Sequence, residues 1–383
     1  MIRTWLAEYQ HIRRNQGGLL ILFGATVIYS FLYPLPYHAE VLREVPLAIV
    51  DADATPLSRQ LARMADANEF MQVVSRPASL EEAKAEFYDG KVAGIVVIPK
   101  DFQRQVRRGE TAICAAYYDT SNLLYFRQLK TGITAVTRTM GAGIQIKRFQ
   151  AAGQPARRAF AAQDPMPVLG VPLFNPSSNY GAYAIPAVFC LLVQQTLLIG
   201  VGIVAGGLRE QVDPDNSIRP GLLKTFQLVF GKCGAYFTVA VVTSLYSLCM
   251  IHLFYGYPLR VAPVPLLIYI FPYFLACIFL ALTIAPFFRS REMAVLTVMC
   301  TSMPFVFLAG FTWPPEAFPR WLLLAAHVLP STSGIDGFLK LSQMGSTLRD
   351  VQFNYQLLWI LTGIYFVTAC LSIGLKVRLP KTV

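Results

Sequence analysis

Charged residues are scarce in this chain and absent from six long stretches. Asp, Glu, Lys and Arg make up 14% of its 383 residues, whereas a soluble domain usually carries about 25%. The uncharged stretches cover residues 18–37, 182–207, 233–259, 261–288, 293–315 and 355–375. Each reaches the ~20 residues that a helix needs to cross a bilayer. This pattern excludes an ordinary soluble protein and predicts a polytopic α-helical membrane protein with six transmembrane helices.

The chain also lacks the residue sets of common enzymes and redox proteins. It contains no CxxC pair, and six of its seven cysteines lie in or beside the predicted spans, which excludes a disulfide scaffold. No Ser/His/Asp set and no glycine-rich phosphate loop are recognisable, since Gly231-Lys232 lacks the preceding glycine spacing of that loop. We therefore expect no catalytic residue, no metal site and no cofactor bound by this chain.

Ionisable residues inside the predicted spans are limited to His252. A transporter driven by protons or ions generally needs ionisable side chains at membrane depth to bind the coupling ion. The spans therefore argue against a secondary transporter. They fit a carrier whose energy comes from a separate subunit.

Basic residues are distributed unevenly between the two sides of the predicted bundle. With the N-terminus inside, the short cytoplasmic segments hold twelve Lys or Arg residues, and the outside connections after the third and fifth spans hold four. The positive-inside rule then predicts that both termini are cytoplasmic and that the long segment after the first span lies outside. The net charge of +11 follows from this topology and does not indicate a nucleic-acid partner.

Residues 1–17 form an amphipathic segment ahead of the first span at residues 18–37. Apolar residues from Trp5 to Ile12 recur at helical spacing, with Arg13 and Arg14 beside them. This pattern favours a helix on the cytoplasmic surface of the membrane. The alternative is that the segment extends the first span.

Residues 38–181 alternate between strand and helix signals, before the remaining spans at 182–383. Apolar runs at residues 45–51, 70–74, 92–98 and 112–118 predict four strands, each followed by a helix start. This order predicts an inserted extracytoplasmic α/β domain. Asp51 and Asp53 follow the first strand, where a helix-capping turn is favoured over a ligand site.

Polar residues in the spans are few, and Gln194 and Gln195 in the second span form the most prominent pair. Two adjacent amides cannot both face lipid without cost. They either line a substrate path or make ordinary hydrogen bonds between helices.

The sequence after the fifth span is apolar but interrupted by helix-breaking residues. The residues that mark this segment are Gly310, Trp313, Pro314, Pro315 and Pro330. Broken backbone at membrane depth must be buried in protein or line a cavity. Residues 313–337 are therefore either a re-entrant or interfacial hairpin, or a surface loop.

Several phrases resemble the membrane subunits of type-2 class ABC exporters. They are VPLAIVD at residues 45–51, GIVVIPKDF at 94–102, YDTSN at 118–122 and PFVFLAGFTWPPEAFP at 304–319. With the one-plus-five arrangement of spans, they resemble the subgroup that has an extracytoplasmic insert between its first two spans. The resemblance implies a non-enzymatic permease that exports hydrophobic or amphipathic small molecules across a bacterial inner membrane. The alternative is a membrane-anchored sensor or assembly factor.

The same resemblance implies partners and a coupling loop. A cytoplasmic ABC ATPase subunit would hold ATP and Mg²⁺, a second copy or a related permease would complete the path, and a periplasmic adaptor with an outer-membrane channel is a further implied partner. The family meets its ATPase just after the second span. The corresponding residues are Arg209, Glu210, Asp213, Asp215 and Arg219. Residues 211–220 depart from the family's pattern, and a plain cytoplasmic loop is the alternative.

Overall fold

The computed structural model describes residues 2–37, 42–153, 155, 158, 171, 173–175, 179–211, 217–377 and 379–380. The chain divides into two compact units. One combines Met1–Glu40 with Pro172–Val383, and the other is Val41–Val171. We call them the helical unit and the α/β unit.

Two consecutive helices open the helical unit. α1 (Ile2–Arg14) ends at Asn15, whose side chain accepts a hydrogen bond from the Gly18 backbone N–H at 3.0 Å. Asn15 thereby caps the start of α2 (Gln16–Tyr37), which has a π-helical turn at Leu20–Ala25. The cap marks the boundary between two distinct helices.

The α/β unit is built on a four-stranded sheet. Its strands are β1 (Val45–Asp51), β2 (Met71–Ser75), β3 (Gly94–Ile98) and β4 (Ala115–Tyr118). They lie in the order β2-β1-β3-β4, with β1 parallel to both of its neighbours and β4 antiparallel to β3. The central strands β1 and β3 are continuous apolar runs because both of their faces are buried.

The last strand is shorter than the predicted 112–118. β3 ends at Ile98, and Val97 already pairs with Ala115. Residues 112 and 113 therefore have no strand left to pair with, although their sequence is apolar.

Four helices cover the sheet. They are α3 (Pro56–Asp66), α4 (Leu80–Tyr88), α5 (Phe102–Arg108) and α6 (Leu123–Ala151). α3, α5 and α6 bury Leu61, Phe102 and Leu129 in one cluster with the sheet. α4 contributes Ala83 to a second, smaller cluster with Ala48 and Ile95. One face of the sheet is thus covered by three helices and the other by one.

Asp51 and Asp53 hold the turn between β1 and α3. The Asp51 carboxylate accepts hydrogen bonds from the Ala54 N–H at 2.9 Å and the Ser58 hydroxyl at 2.7 Å. Asp53 Oδ2 accepts from the Gln103 N–H at 3.0 Å, which ties the turn to α5. These contacts agree with the capping interpretation.

The remaining five spans follow in the helical unit. They are α7 (Tyr180–Gln211), α8 (Leu222–Phe254), α9 (Pro263–Phe287), α10 (Arg291–Leu308) and, after two shorter helices, the helix Gln352–Lys376. With α2, the described residues contain six helices long and apolar enough to cross a membrane. These helices agree with the predicted polytopic membrane protein, and a bent pair of shorter helices, Arg320–His327 and Pro330–Met344, would make a seventh span if it crosses the membrane as one unit.

Two of these spans differ from their predicted bounds by more than four residues. α8 begins at Leu222 instead of 233, because Lys224 and Lys232 lie within the helix and had ended the uncharged stretch. α10 ends at Leu308 instead of 315, because Gly310 adopts a φ of 80° that no helix continues.

Two shorter helices, α11 (Arg320–His327) and α12 (Pro330–Met344), lie between α10 and α13 (Gln352–Lys376) and bend by 86° at their junction. α12 runs seven residues past the predicted limit of 337, since Phe338 and Leu341 keep facing the core until Gly345 ends the helix. A Cβ atom on Gly334 would lie 2.5 Å from the Tyr273 ring, so α12 approaches α9 more closely than a side chain would allow.

Candidate functional site

The junction of α7 and α10 holds the first two residues of the predicted coupling loop. Glu210 Oε1 accepts a hydrogen bond from the Arg291 N–H at 2.9 Å, and its Oε2 lies 3.2 Å from Arg291 Nε. Arg291 is the first residue of α10, so this carboxylate satisfies a free N–H at the positive end of the helix dipole. Arg209 donates to the Pro286 carbonyl at 2.6 Å. Glu210 therefore ties the end of α7 to the start of α10, and Arg209 ties it to the end of α9.

The other predicted coupling residues are placed differently. Arg219 is exposed and follows a two-residue strand, β5 (Ser217–Ile218), that pairs with β6 (Leu379–Pro380). Asp213 and Asp215 lie outside the described residues. Arg291 was counted in the sequence only as a topology signal, and its contact with Glu210 depends on folding that the sequence does not reveal.

α1 packs along α8 through a buried ion pair that sequence analysis missed. Lys232 Nζ lies 2.5 Å from Glu8 Oε2, and the Tyr236 hydroxyl donates to Glu8 Oε1 at 2.8 Å. The Glu8 and Lys232 side chains are 3% and 17% exposed. One signal was available, because Glu8 falls between Trp5 and Ile12 on the apolar face of the helix. An acidic residue in that position needs a partner.

His11 lies on the same helix, half-buried near this pair. Burial lowers its pKa from the ordinary value of 6.5, the positive charges of Lys232 and Arg14 lower it further, and the charge of Glu8 opposes them. The neutral form is therefore the one that α1 favours in its packed position.

Gln194 caps a helix from the middle of α7. α12 begins at Pro330, and the preceding Leu329 offers no capping side chain. Gln194 Oε1 accepts the Ser331 N–H at 2.8 Å, and the residue is fully buried. It supplies from another helix the acceptor that a local cap would provide. This bond is of the helix-to-helix kind that was the alternative to a substrate path.

Several buried polar atoms on this part of α7 and at the start of α12 have no hydrogen-bond partner among the described residues. They are Gln194 Nε2, both polar side-chain atoms of Gln195, Ser331 Oγ and Ser333 Oγ. Leaving a buried polar group unpaired costs ~1–3 kcal/mol. The α7–α12 contact therefore gives the start of α12 one hydrogen bond from another helix.

The segment after α10 surrounds a small apolar cavity. Trp313 is 59% exposed and lines a cavity of about 240 Å³ together with Phe307, Leu308, Thr312, Phe318 and Leu322. Gly310 lets the chain leave α10, Pro314 and Pro315 begin a short 3-10 turn, and Pro330 opens α12. The predicted residues thus shape the two ends of this segment, while the cavity lining was not predicted.

No group of three or more His, Cys, Asp or Glu side chains is positioned for a metal ion in the part of the chain that the structure describes.

Comparison with known proteins places this architecture in a family. The ABC-2 family transporter protein model matches residues 17–371, and the chain therefore belongs to that family. It is 22% identical over 316 residues to the probable multidrug ABC transporter permease YbhR of Escherichia coli, with 82% of each chain covered. It is 32% identical over 103 residues to the linearmycin resistance permease protein LnrN of Bacillus subtilis, covering 27% of this chain and 26% of LnrN. No solved structure matches the chain.

Family membership fixes the general role of the chain. It is a membrane transport subunit and not an enzyme, as expected from its sequence. ABC transporters hydrolyse ATP on separate subunits or domains, so the family implies a partner ATPase. Membership also favours transport over the sensor or assembly alternative.

Proposed function

We propose that this chain is the permease subunit of an ATP-driven exporter that moves hydrophobic or amphipathic small molecules out of the cytoplasm or inner membrane of a bacterium. The names of its relatives, which refer to multidrug transport and linearmycin resistance, support such a substrate. The observation that carries the proposal is the α7–α12 contact. There, unpaired polar atoms and the start of a broken helix meet in the core of an apolar bundle, as expected of a site that opens during transport.

The orientation follows from the basic residues. Both termini and the α7–α10 junction face the cytoplasm, and the α/β unit faces the periplasm. α1 lies at the cytoplasmic membrane surface, held to α8 by the Glu8–Lys232 pair. This arrangement places exposed Arg219, Arg289 and Arg291 on one side, where they are available to a cytoplasmic partner.

The ATPase binds this cytoplasmic side, along residues 209–219, the start of α10 and α1. It carries the ATP and Mg²⁺. Glu210 connects α7 directly to α10, so a movement imposed on the loop is transmitted to two spans at once. The coupling role of Asp213 and Asp215 is part of this proposal.

A second copy or a related permease completes the path beside α10. Only Ala294 and Val298 of this 18-residue span are buried, which makes it poorly covered within one chain. Its exposed residues include Thr297 and several methionines, whose polarity and flexibility suit an adaptable contact more than lipid.

The segment at residues 313–337 is a re-entrant or interfacial hairpin at the periplasmic end of the path. The cavity beside Trp313 and the 86° bend between α11 and α12 support this interpretation. A periplasmic adaptor and an outer-membrane channel act beyond it.

The test uses the permease with the ATPase that co-purifies from the native host, reconstituted in proteoliposomes. Export of a fluorescent amphipathic dye is compared between the wild type, Gln194→Leu and Thr196→Val. Thr196 is a buried polar residue two positions away whose hydroxyl bonds its own helix at 2.8 Å, so it controls for polarity lost from α7. Gln194→Leu removes the cap of α12, and we expect it to lower export while ATP hydrolysis continues.

Three results would contradict the proposal. If the permease is purified under gentle extraction without any ATPase, it has no ATP-hydrolysing partner and the proposed energy source is wrong. If Gln194→Leu and Thr196→Val export the dye equally well, the α7–α12 contact has no specific role in transport. If the ATPase still co-purifies after residues 211–219 are deleted, these residues are not the coupling loop.

A further inference from the structure

The outer edge of the α/β unit's sheet is a strand without protection. β4 is the last strand in the order β2-β1-β3-β4, and no strand pairs with its outer edge among the residues that the structure describes. Residues 112–118 read AICAAYY, with no charge and no proline. Ile113 is 76% exposed and Tyr117 is 43% exposed. Edge strands usually carry charges, prolines or bulges that prevent pairing with another chain.

The opposite edge of the same sheet shows such protection. The Val73 N–H of β2 is taken by Asp66 Oδ1 at 3.0 Å, so it is not available to an incoming strand. The pairing of β2 with β1 also shifts register between Leu47 and Ala48. One edge is therefore blocked, while no strand among the described residues covers the other.

The backbone of β4 directs hydrogen-bonding groups outward. The Asp119 N–H donates to the Ala93 carbonyl at 3.0 Å, on the β3 side. Because backbone groups alternate along an antiparallel strand, Tyr117 and Ala115 also face β3, and Ala116 and Tyr118 face the open edge. Side chains alternate as well, so Ala115 and Tyr117 share one exposed face.

We propose that β4 pairs antiparallel with β4 of a second copy of this chain, joining two α/β units through one continuous eight-stranded sheet. A twofold axis near Ala116 pairs the outward groups of each strand with those of the other. Antiparallel pairing also brings the start of one strand beside the end of its partner. The start is net basic, with Arg107, Arg108 and Glu110, and the end carries Asp119, so the charges are complementary.

The size of the contact explains why the partner is a second copy held in the same membrane. Two short strands with Ile113 and Tyr117 bury much less than the ~1,600 Å² of a typical stable complex. Tethering in a dimeric permease raises the effective concentration of each strand to the millimolar range and makes a small contact sufficient. The inference thus rests on the proposed dimer and adds a specific interface to it.

Cysteine cross-linking in membranes tests the pairing on the full chain. Single substitutions Ala115→Cys and Tyr117→Cys are treated with an oxidant and with a short bismaleimide, since residues diagonal across a strand pair lie ~7–8 Å apart. Val74→Cys is the matched control, because Val74 is 48% exposed on the opposite edge. The native chain reports the background, which Cys114 should not dominate, since burial raises the pKa of that thiol to about 11.

We expect cross-linked dimers from Ala115→Cys or Tyr117→Cys and background levels from Val74→Cys. Adding Ala116→Pro removes one outward N–H without touching the pairing with β3, and it should lower cross-linking about tenfold, as expected for one or two lost hydrogen bonds. The dimer itself is followed separately by native mass measurement of the extracted permease.

Three outcomes overturn the proposal. Cross-linking no stronger than that of Val74→Cys, with an intact permease dimer, refutes the strand pairing alone. Cross-linking of the Ala115→Cys or Tyr117→Cys variant to a different polypeptide shows that another protein occupies the edge. A monomeric permease in native membranes removes both the proposed dimer and this interface.

Discussion

The Glu8–Lys232 pair predicts a strong energetic coupling between α1 and α8. Glu8 is almost fully buried and bonded to both Lys232 and Tyr236. Removing one member of a buried pair leaves the other charge unpaired and typically costs 3–5 kcal/mol. Because the Lys232 side chain keeps 17% exposure, we expect about 3 kcal/mol for Glu8→Leu or Lys232→Met. The double variant Glu8→Leu/Lys232→Met replaces the pair with apolar groups.

The double variant should lose less free energy of α1 packing than the sum of the losses in the two single variants. Its remaining cost is the unpaired Tyr236 hydroxyl, which is worth ~1–3 kcal/mol. The coupling energy across the cycle is therefore expected to be at least about 2 kcal/mol. A polytopic protein does not unfold in two states, so the release of α1 is a better measure than a melting temperature.

A cysteine at Ile12 reports that release. Ile12 is 3% exposed, so Ile12→Cys should resist a water-soluble maleimide while α1 is packed and react when it detaches. Leu6→Cys, at a position 58% exposed, measures full reactivity. Arg14→Gln removes a basic charge from the exposed face of α1 and controls for charge alone. Additive effects in the cycle, or an equal effect of Arg14→Gln, would refute the role of the pair.

Two further predictions concern the helical unit. Burial lowers the pKa of His11 when α1 is packed, so the unpacked state binds more protons as the pH falls through about 6.5. The packing of α1 should therefore weaken below that pH and Ile12→Cys should be labelled faster. His11→Gln should abolish this pH dependence. Gly334→Ala places a methyl group 2.5 Å from the Tyr273 ring and should cost ~1–3 kcal/mol of stability, whereas Gly363→Ala on α13 meets no atom within 4 Å; a thermal shift of the same size for both would contradict the close approach of α12 to α9.

The sequence predicts the spans well and their contacts poorly, for a physical reason. A bilayer imposes a length and a composition on each helix, and both are local properties of the chain. The third span shows the limit of this argument. Lys232 bounds the uncharged stretch, yet it lies inside α8, where it pairs with Glu8, more than two hundred residues away in the sequence. Apolar runs likewise predict the strands of the α/β unit, but the length of β4 depends on where β3 ends.

The fate of Gln194 shows how a candidate residue is reinterpreted by its surroundings. In the sequence, Gln194 and Gln195 form a symmetrical pair. In the fold, Gln194 caps α12 through Ser331, while Gln195 has no partner among the described residues. The hydrogen bond of Gln194 is of the helix-to-helix kind, and a substrate path along Gln194 and Gln195 stays a prediction. Gln194 Oε1 holds the start of α12 through one hydrogen bond, while neighbouring polar atoms have no partner among the described residues. A contact with a single bond of this kind is suited to a proposed site that is closed at rest and separates during transport.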